Sequence, residues 1–263
     1  MTMNGVERLR EKLEKGERIY STMLCDWNNT RLPGVYKSCG LDFILADLEH
    51  GEFYPESIGN IAQMCRIEDI PFIARVQDCE YHCISKCIDN GADGVLIPRT
   101  ESLEQVETAI NSLRMYPYGK KGVGGRACMR PGETIPEFNK NRLLFLQMES
   151  PKGIDLLDEM LTKYGEHVAG VIVGPSDLTV SMGFERFSDV KVPGEKSDEY
   201  YNYIRKVIRV SKAHGKSSGI FMGDDNAIKM WHEEGMNIYW VSTELGMMAA
   251  EARRVRRFIM GLE

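Results

Sequence analysis

The chain has 263 residues, 43% of them hydrophobic and 27% charged, a balance that excludes disorder, collagen-like repetition and a coiled coil as descriptions of the whole. Lys and Arg total 33 against 39 Asp and Glu, a formal charge of −6 without the basic excess of a phosphate-backbone binder, so no nucleic acid partner is expected. No apolar run approaches the ~18 residues of a membrane span and the N-terminus has no signal-peptide core, which predicts a cytoplasmic protein with no membrane partner.

In chain order, short apolar runs alternate with segments of helical periodicity. Val6, Leu9 and Leu13 suggest an N-terminal helix able to close one end of a barrel. Strands are expected at Ile19–Cys25 and Phe43–Asp47, followed by a helix carrying Ile58, Ile61, Ala62 and Cys65 on one face. Pro71–Val76 and Gly94–Pro98 read as the third and fourth strands. Between them, Cys79, Cys83 and Cys87 recur at helical spacing beside His82. Structural zinc sites pair two close ligands with two more from a separate segment, and no second pair stands at such spacing, so these three cysteines read as an apolar helix face. The odd total of seven cysteines, in a chain large enough to need no staples, reads as reduced thiols.

Leu103, Val106, Ile110 and Leu113 mark the next helix. Leu143–Glu149, Val168–Val173, Ser218–Met222 and Ile238–Val241 complete eight strands, and a last helix is expected from Leu245 to Met260. The strands are apolar nearly throughout, as strands of a parallel sheet covered on both faces are. Eight βα units in ~250 residues predict one TIM (β/α)8 barrel domain over residues 1–263, with an extra N-terminal helix. The rival doubly wound sheet lacks its Gly-x-Gly-x-x-Gly turn after the first strand.

A barrel puts its chemistry at the carboxyl ends of its strands. Those ends carry Asp47-Leu48-Glu49-His50, Arg75, Arg99, Gln147-Met148-Glu149 and Gly174-Pro175-Ser176-Asp177. Glu149 and Asp177 stand about one βα repeat apart and should cap neighbouring strands. Two carboxylates that leave most positions open suit Mg²⁺ or Mn²⁺ better than a closed zinc cage, although the same pair could simply cap helix N-termini. His50, beside two carboxylates, is placed for acid/base work. His82, His167, His214 and His232 read as surface or packing residues.

The segments Asp42-Phe-Ile-Leu-Ala-Asp47-Leu-Glu49-His50-Gly51, Pro71–Val76 through Asp89–Pro98, and Gln147-Met-Glu149 through Gly174-Pro-Ser-Asp177-Leu178 resemble the HpcH/HpaI aldolase family. These are metal-dependent (class II) pyruvate aldolases related to citrate lyase β subunits that act on 2-keto-3-deoxy acids. Tyr116–Gly124 resembles the family's glycine loop, and the likeness runs over residues 19–260. It implies a barrel of the phosphoenolpyruvate/pyruvate-domain type. It also implies that Glu149 and Asp177 bind a divalent metal ion (Mg²⁺, Mn²⁺ or Co²⁺) that chelates pyruvate, with His50 an acid/base group oriented by Asp89. Arg75 would contact the keto or enolate oxygen, and the Ser176 and Asp177 amides would hold the pyruvate carboxylate. Asp47, Glu49 and Gln147 would fix water and the metal ligands. A homo-oligomer, hexameric or trimer-based, is the implied assembly, with Val255, Phe258 and Ile259 a candidate contact face.

The expected activity is reversible cleavage of a 2-keto-3-deoxy (4-hydroxy-2-oxo) acid to pyruvate and an aldehyde. A citrate-lyase-like enzyme acting on a CoA thioester, and an inactive barrel serving as a binding protein, are the alternatives. No predicted strand carries a lysine near its carboxyl end for a Schiff base, and Lys152 reads as part of a solvated helix turn. Residues 122–132 and 185–201 are expected at the mouth as determinants of aldehyde choice, with Arg126 or Arg130 a partner for a substrate carboxylate or phosphate.

Overall fold

The computed structural model describes residues 3–262. Helix α1 (Gly5–Lys15) opens at a capping box: the Asn4 side chain accepts from the Val6 and Glu7 amides, and the Glu7 carboxylate accepts from the Asn4 amide. Strands and helices then alternate as β1 (Ile19–Leu24), α2 (Leu32–Ser38), β2 (Phe43–Asp47), α3 (Gly59–Ile67), β3 (Phe72–Arg75), α4 (Tyr81–Asp89), β4 (Gly94–Ile97) and α5 (Leu103–Leu113). The second half runs α6 (Ile135–Asn141), β5 (Leu143–Met148), α7 (Pro151–Tyr164), β6 (Val168–Val173), α8 (Pro175–Ser181), α9 (Glu195–Ala213), β7 (Ser217–Met222), α10 (Asp225–Glu233), β8 (Ile238–Thr243) and α11 (Glu244–Met260). Each strand pairs in parallel with the next and β8 pairs with β1, which closes the eight-stranded TIM barrel that the alternation predicts.

The two-residue period of a strand divides each one between two cores. Phe43, Leu45, Ile73, Leu96, Leu143, Phe145, Ile172, Ile238 and Trp240 fill the barrel interior, where Phe43 and Phe145 stack with ring centroids 5.9 Å apart. Their neighbours Ile44, Ala46, Phe72, Ala74, Leu144, Leu146, Val171 and Val173 face outward onto the apolar stripes of the helices. Val6, Leu9 and Leu13 join the inner cluster, so α1 closes the amino-terminal end of the barrel. Cys79, Cys83 and Cys87 lie in the outer core and all seven cysteines are free, in keeping with a packing role. Lys152 sits in the first turn of α7, exposed and 3.4 Å from Glu101. Along α11, residues 251–262 that the structure describes are exposed, so Val255, Phe258 and Ile259 do not cover their own barrel. Among the described residues, no helix is long and apolar enough to cross a membrane.

Candidate active site

The inward parity of the strands carries directly into the mouth. Asp47 follows Phe43 and Leu45, Arg75 follows Ile73, and Gln147 and Glu149 follow Leu143 and Phe145, so four polar side chains continue three inward-facing rows. Of these, Arg75 and Gln147 line a cavity of about 210 Å³, together with Met23, His50, Gly174, Pro175, Ser176, Asp177, Phe221 and Trp240.

Asp47 and Arg75 stand opposite each other in the β2–β3 register. Arg75 donates from Nε to Oδ1 of Asp47 at 2.8 Å and from Nη2 to Oδ2 at 2.6 Å, both residues being buried. The fork fixes the guanidinium plane and leaves Nη1, which lies 3.4 Å from Glu49. Asp47 also accepts the Glu49 and His50 amides, at 3.0 and 3.3 Å, and so shapes the turn that carries the histidine. The His50 ring is well exposed, with Nε2 3.7 Å from Glu49. Burial pushes the Glu49 carboxyl up, while the charges of Arg75, His50 and Arg99 pull it back down.

Glu149 is buried and surrounded by donors. The Arg99 amide reaches Oε1 at 2.6 Å and Gln147 Nε2 reaches Oε2 at 2.7 Å. Arg99 takes a left-handed φ of 45° to present that amide, a strained conformation for a non-glycine residue. Gly174 gives the carboxylate its room: a Cβ there would stand 2.2 Å from Glu149 Oε2. Burial raises the Glu149 carboxyl to about 7; the Arg99 hydrogen bond opposes this, and the charges of Asp177 and Glu49 add to it. Asp177, in the first turn of α8, is exposed at the same mouth.

A divalent cation fits this donor set. Among the described residues no three His, Cys, Asp or Glu converge as a closed cage. Glu149 and Asp177 would offer such an ion hard oxygen atoms and leave positions open for water and a chelating substrate. A buried carboxylate disfavoured by its carboxylate neighbours is relieved by such an ion. Gln147 Oε1, buried without a hydrogen-bond partner, leaves one more polar atom open at the same place.

The model of the HpcH/HpaI aldolase/citrate lyase family matches residues 23–250. The chain belongs to that family. With it the chain joins the carbon–carbon lyases. A hydroxypyruvate/pyruvate aldolase of Roseovarius nubinhibens is 30% identical over 226 residues, 84% of each chain. A 5-keto-4-deoxy-D-glucarate aldolase of Enterobacter sp. is 29% identical over 224 residues, 82% of each. The crystal structure of an HpcH/HpaI aldolase from Desulfitobacterium hafniense shares the fold with a TM-score of 0.83 at 24% identity, covering 97% of both chains.

Not every expected residue of this family member gathers at the mouth. Asp89 ends α4, and a helix that returns from a strand end finishes at the amino-terminal side of the barrel. There Asp89 accepts from Lys121 Nζ at 2.6 Å, and within one chain it does not meet His50. Residues 122–132 lie on that same side, which corrects their expected place at the mouth. They follow α5 rather than β4, so the helix has already carried the chain back. A Cβ at Gly125 would touch the Asp89 backbone, and Arg130 pairs with buried Asp93 at 2.7 Å. Arg126 is exposed on this segment. Conversely, Met23, Phe221 and Trp240, which lie within the expected strands but were not among the expected site residues, form an apolar wall of the cavity. Inward parity from Ile19, Gly219 and Ile238 is the signal that marks all three. Glu244 also escaped notice: it accepts from the Cys25, Asp26 and Trp27 amides and holds the β1–α2 loop beside the mouth.

Proposed function

We propose that this protein is a divalent-metal-dependent aldolase that reversibly cleaves a 4-hydroxy-2-oxo (2-keto-3-deoxy) acid to pyruvate and an aldehyde. The observation that carries the reading is the convergence of His50, Arg75, Gln147, Ser176 and Asp177 on one cavity, with the buried Glu149 carboxylate beside it. The names of the two curated relatives support the same chemistry.

Glu149 and Asp177 would hold the ion, which when bound would supply Lewis acidity toward the negative charge that develops on the keto oxygen as the carbon–carbon bond breaks. Arg75, aimed by Asp47, donates to the same oxygen from its remaining N–H groups; removing one such donor typically costs ~3 kcal/mol of barrier. The Ser176 and Asp177 amides, in a first helical turn without intrahelical acceptors, bind the substrate carboxylate. His50 takes the proton from the C4 hydroxyl as the C3–C4 bond breaks; the bond electrons pass to the keto-derived oxygen, the aldehyde leaves, and the enolate takes a proton from water at C3 to give pyruvate. In the synthetic direction His50 returns the proton. Met23, Phe221 and Trp240 exclude water from the enolate face.

Asp89 orients a histidine only where it can reach one, and in a single chain its partner is Lys121. We further place the enzyme in the cytoplasm, where seven free thiols stay reduced, and as a homo-oligomer that buries the open face of α11. The test is pyruvate release from racemic 4-hydroxy-2-oxo acids, followed by a lactate dehydrogenase couple. Release is expected with Mg²⁺, Mn²⁺ or Co²⁺ and not with excess EDTA; release of acetyl-CoA from a thioester instead would overturn the assignment.

A further inference from the structure

The amino-terminal end of the barrel, opposite the mouth, holds a concentration of charge of the other sign. A cavity of about 100 Å³ opens there, between α1 and the chain entering β5, β6 and β7. Arg10, Arg114, Lys140, Arg142, His167 and Lys216 line it, together with Glu14 and Glu166.

Pairing inside the protein uses only part of this charge. Arg142, fully buried, donates to Glu133 at 3.1 and 2.8 Å and to the Cys128 carbonyl at 2.7 Å, and lies over the Phe138 ring. Arg10 bonds Asn141 and lies 3.5 Å from Glu14, and His167 lies 3.4 Å from Glu166. Arg114 differs. It is 8% exposed, its Nη2 donates to the His167 carbonyl at 3.1 Å, and its Nε has no acceptor. Among the described residues Arg114, Lys140 and Lys216 join no ion pair with a carboxylate. Burial, with the charge of Arg142 added, holds the Arg114 guanidinium down at about 10 against the opposing charge of Glu166, and burial lowers Lys216 against that of Glu14. A buried cation with no carboxylate in contact is costly, and a planar guanidinium beside two ammonium groups matches a compact, multiply charged oxyanion.

We propose that this cavity is a second ligand site, remote from the catalytic mouth, that binds a phosphate group through Arg114, Lys140 and Lys216. The volume admits a phosphoryl group and leaves any organic part outside, so the ligand is free phosphate or the head of a phosphomonoester. A carboxylate carries one charge and would balance less of the excess of cations over Glu14 and Glu166 than a phosphate does.

Calorimetric titration of the full-length, metal-free protein tests this. Inorganic phosphate and glycerol 3-phosphate serve as probes, with ionic strength held constant by sodium chloride. One site is expected. Lys216→Gln and Lys140→Gln should each weaken binding roughly tenfold, the worth of one charged hydrogen bond. Lys140 is exposed and Lys216 half-buried, so both variants keep the fold tested even if Arg114→Gln does not. Lys216→Gln should retain full pyruvate-releasing activity, and Arg75→Gln at the mouth should retain phosphate binding. Tighter binding of glycerol 3-phosphate than of phosphate would support a phosphomonoester, and the reverse order free phosphate. Absence of binding, or binding lost in Arg75→Gln but kept in the lysine variants, would overturn the proposal.

Discussion

Arg75 and Asp47 form a two-point ion pair at the top of the barrel interior, Nε to Oδ1 at 2.8 Å and Nη2 to Oδ2 at 2.6 Å, with Asp47 only 2% exposed. One interaction thus joins β2 to β3, aims the guanidinium and anchors the turn that carries His50. Asp47→Asn removes the two-point partner of a buried guanidinium and leaves it only Glu49, 3.4 Å away, as a near counter-charge. It should cost about 3 kcal/mol of stability in urea unfolding, the range for breaking a buried pair, and lower kcat more than it raises KM. A loss under about 1 kcal/mol in that titration would show that the pair is not held as described.

His50 offers a contrast, because its ring is mostly exposed and its backbone is what Asp47 holds. His50→Gln should lower kcat by about 10²–10⁴-fold, the usual worth of a positioned acid/base group, while the thermal midpoint and the metal activation constant hold steady. Unchanged kcat would assign the proton transfer elsewhere.

The Glu149 carboxyl, held at about 7 against an ordinary 4.5, gives a signed pH prediction. The folded state keeps this proton at pH values where the unfolded chain has released it. Without metal, folding therefore loses stability as pH rises from 4.5 through about 7, by up to about 3 kcal/mol from this group. A cation competes with the same proton. The rise in Tm with Mg²⁺ should be larger at pH 8 than at pH 6, and metal-free Glu149→Gln should be more stable than the parent at pH 8 but not at pH 5. Gln147 can turn its unpartnered Oε1 to the new amide. Equal Mg²⁺ shifts at both pH values would contradict this account.

Gly174 is required by the same carboxylate rather than by its own backbone angles. Its φ is −93°, which any residue adopts, yet an added Cβ would lie 2.2 Å from Glu149 Oε2 and 2.7 Å from Gln147 Nε2. Gly174→Ala should therefore weaken metal activation by roughly 10–100-fold, as disturbing a ligand's support typically does, with the fold intact by circular dichroism. An unchanged activation constant would place the metal away from Glu149.

The barrel is legible in the sequence because strands covered on both faces read as apolar runs, and Val168–Val173 and Phe43–Asp47 stand out at their observed limits. Charged residues at the ends of such runs are conspicuous, so Asp47, His50, Arg75, Glu149 and Asp177 could all be named from sequence. Phe221 and Trp240 could not, because an apolar residue lining a cavity and one filling the interior look alike until parity is traced along the whole strand. Glu244 was hidden because it acts on the β1–α2 loop from the far end of the chain, across the closure of β8 on β1. Residues 122–132 were misplaced because their glycines resemble a mouth loop, whereas the helix before them decides which end of the barrel they occupy.

The most direct test of the central claim is exchange of the pyruvate methyl protons in D₂O, read by proton NMR without any aldehyde. Enolate formation at this mouth predicts loss of the methyl signal when Mg²⁺ is present, and its persistence after chelation or in Asp177→Ala and Arg75→Gln. Exchange that survives chelation and is abolished by borohydride in the presence of pyruvate would replace the metal-held enolate with a lysine Schiff base and contradict the account.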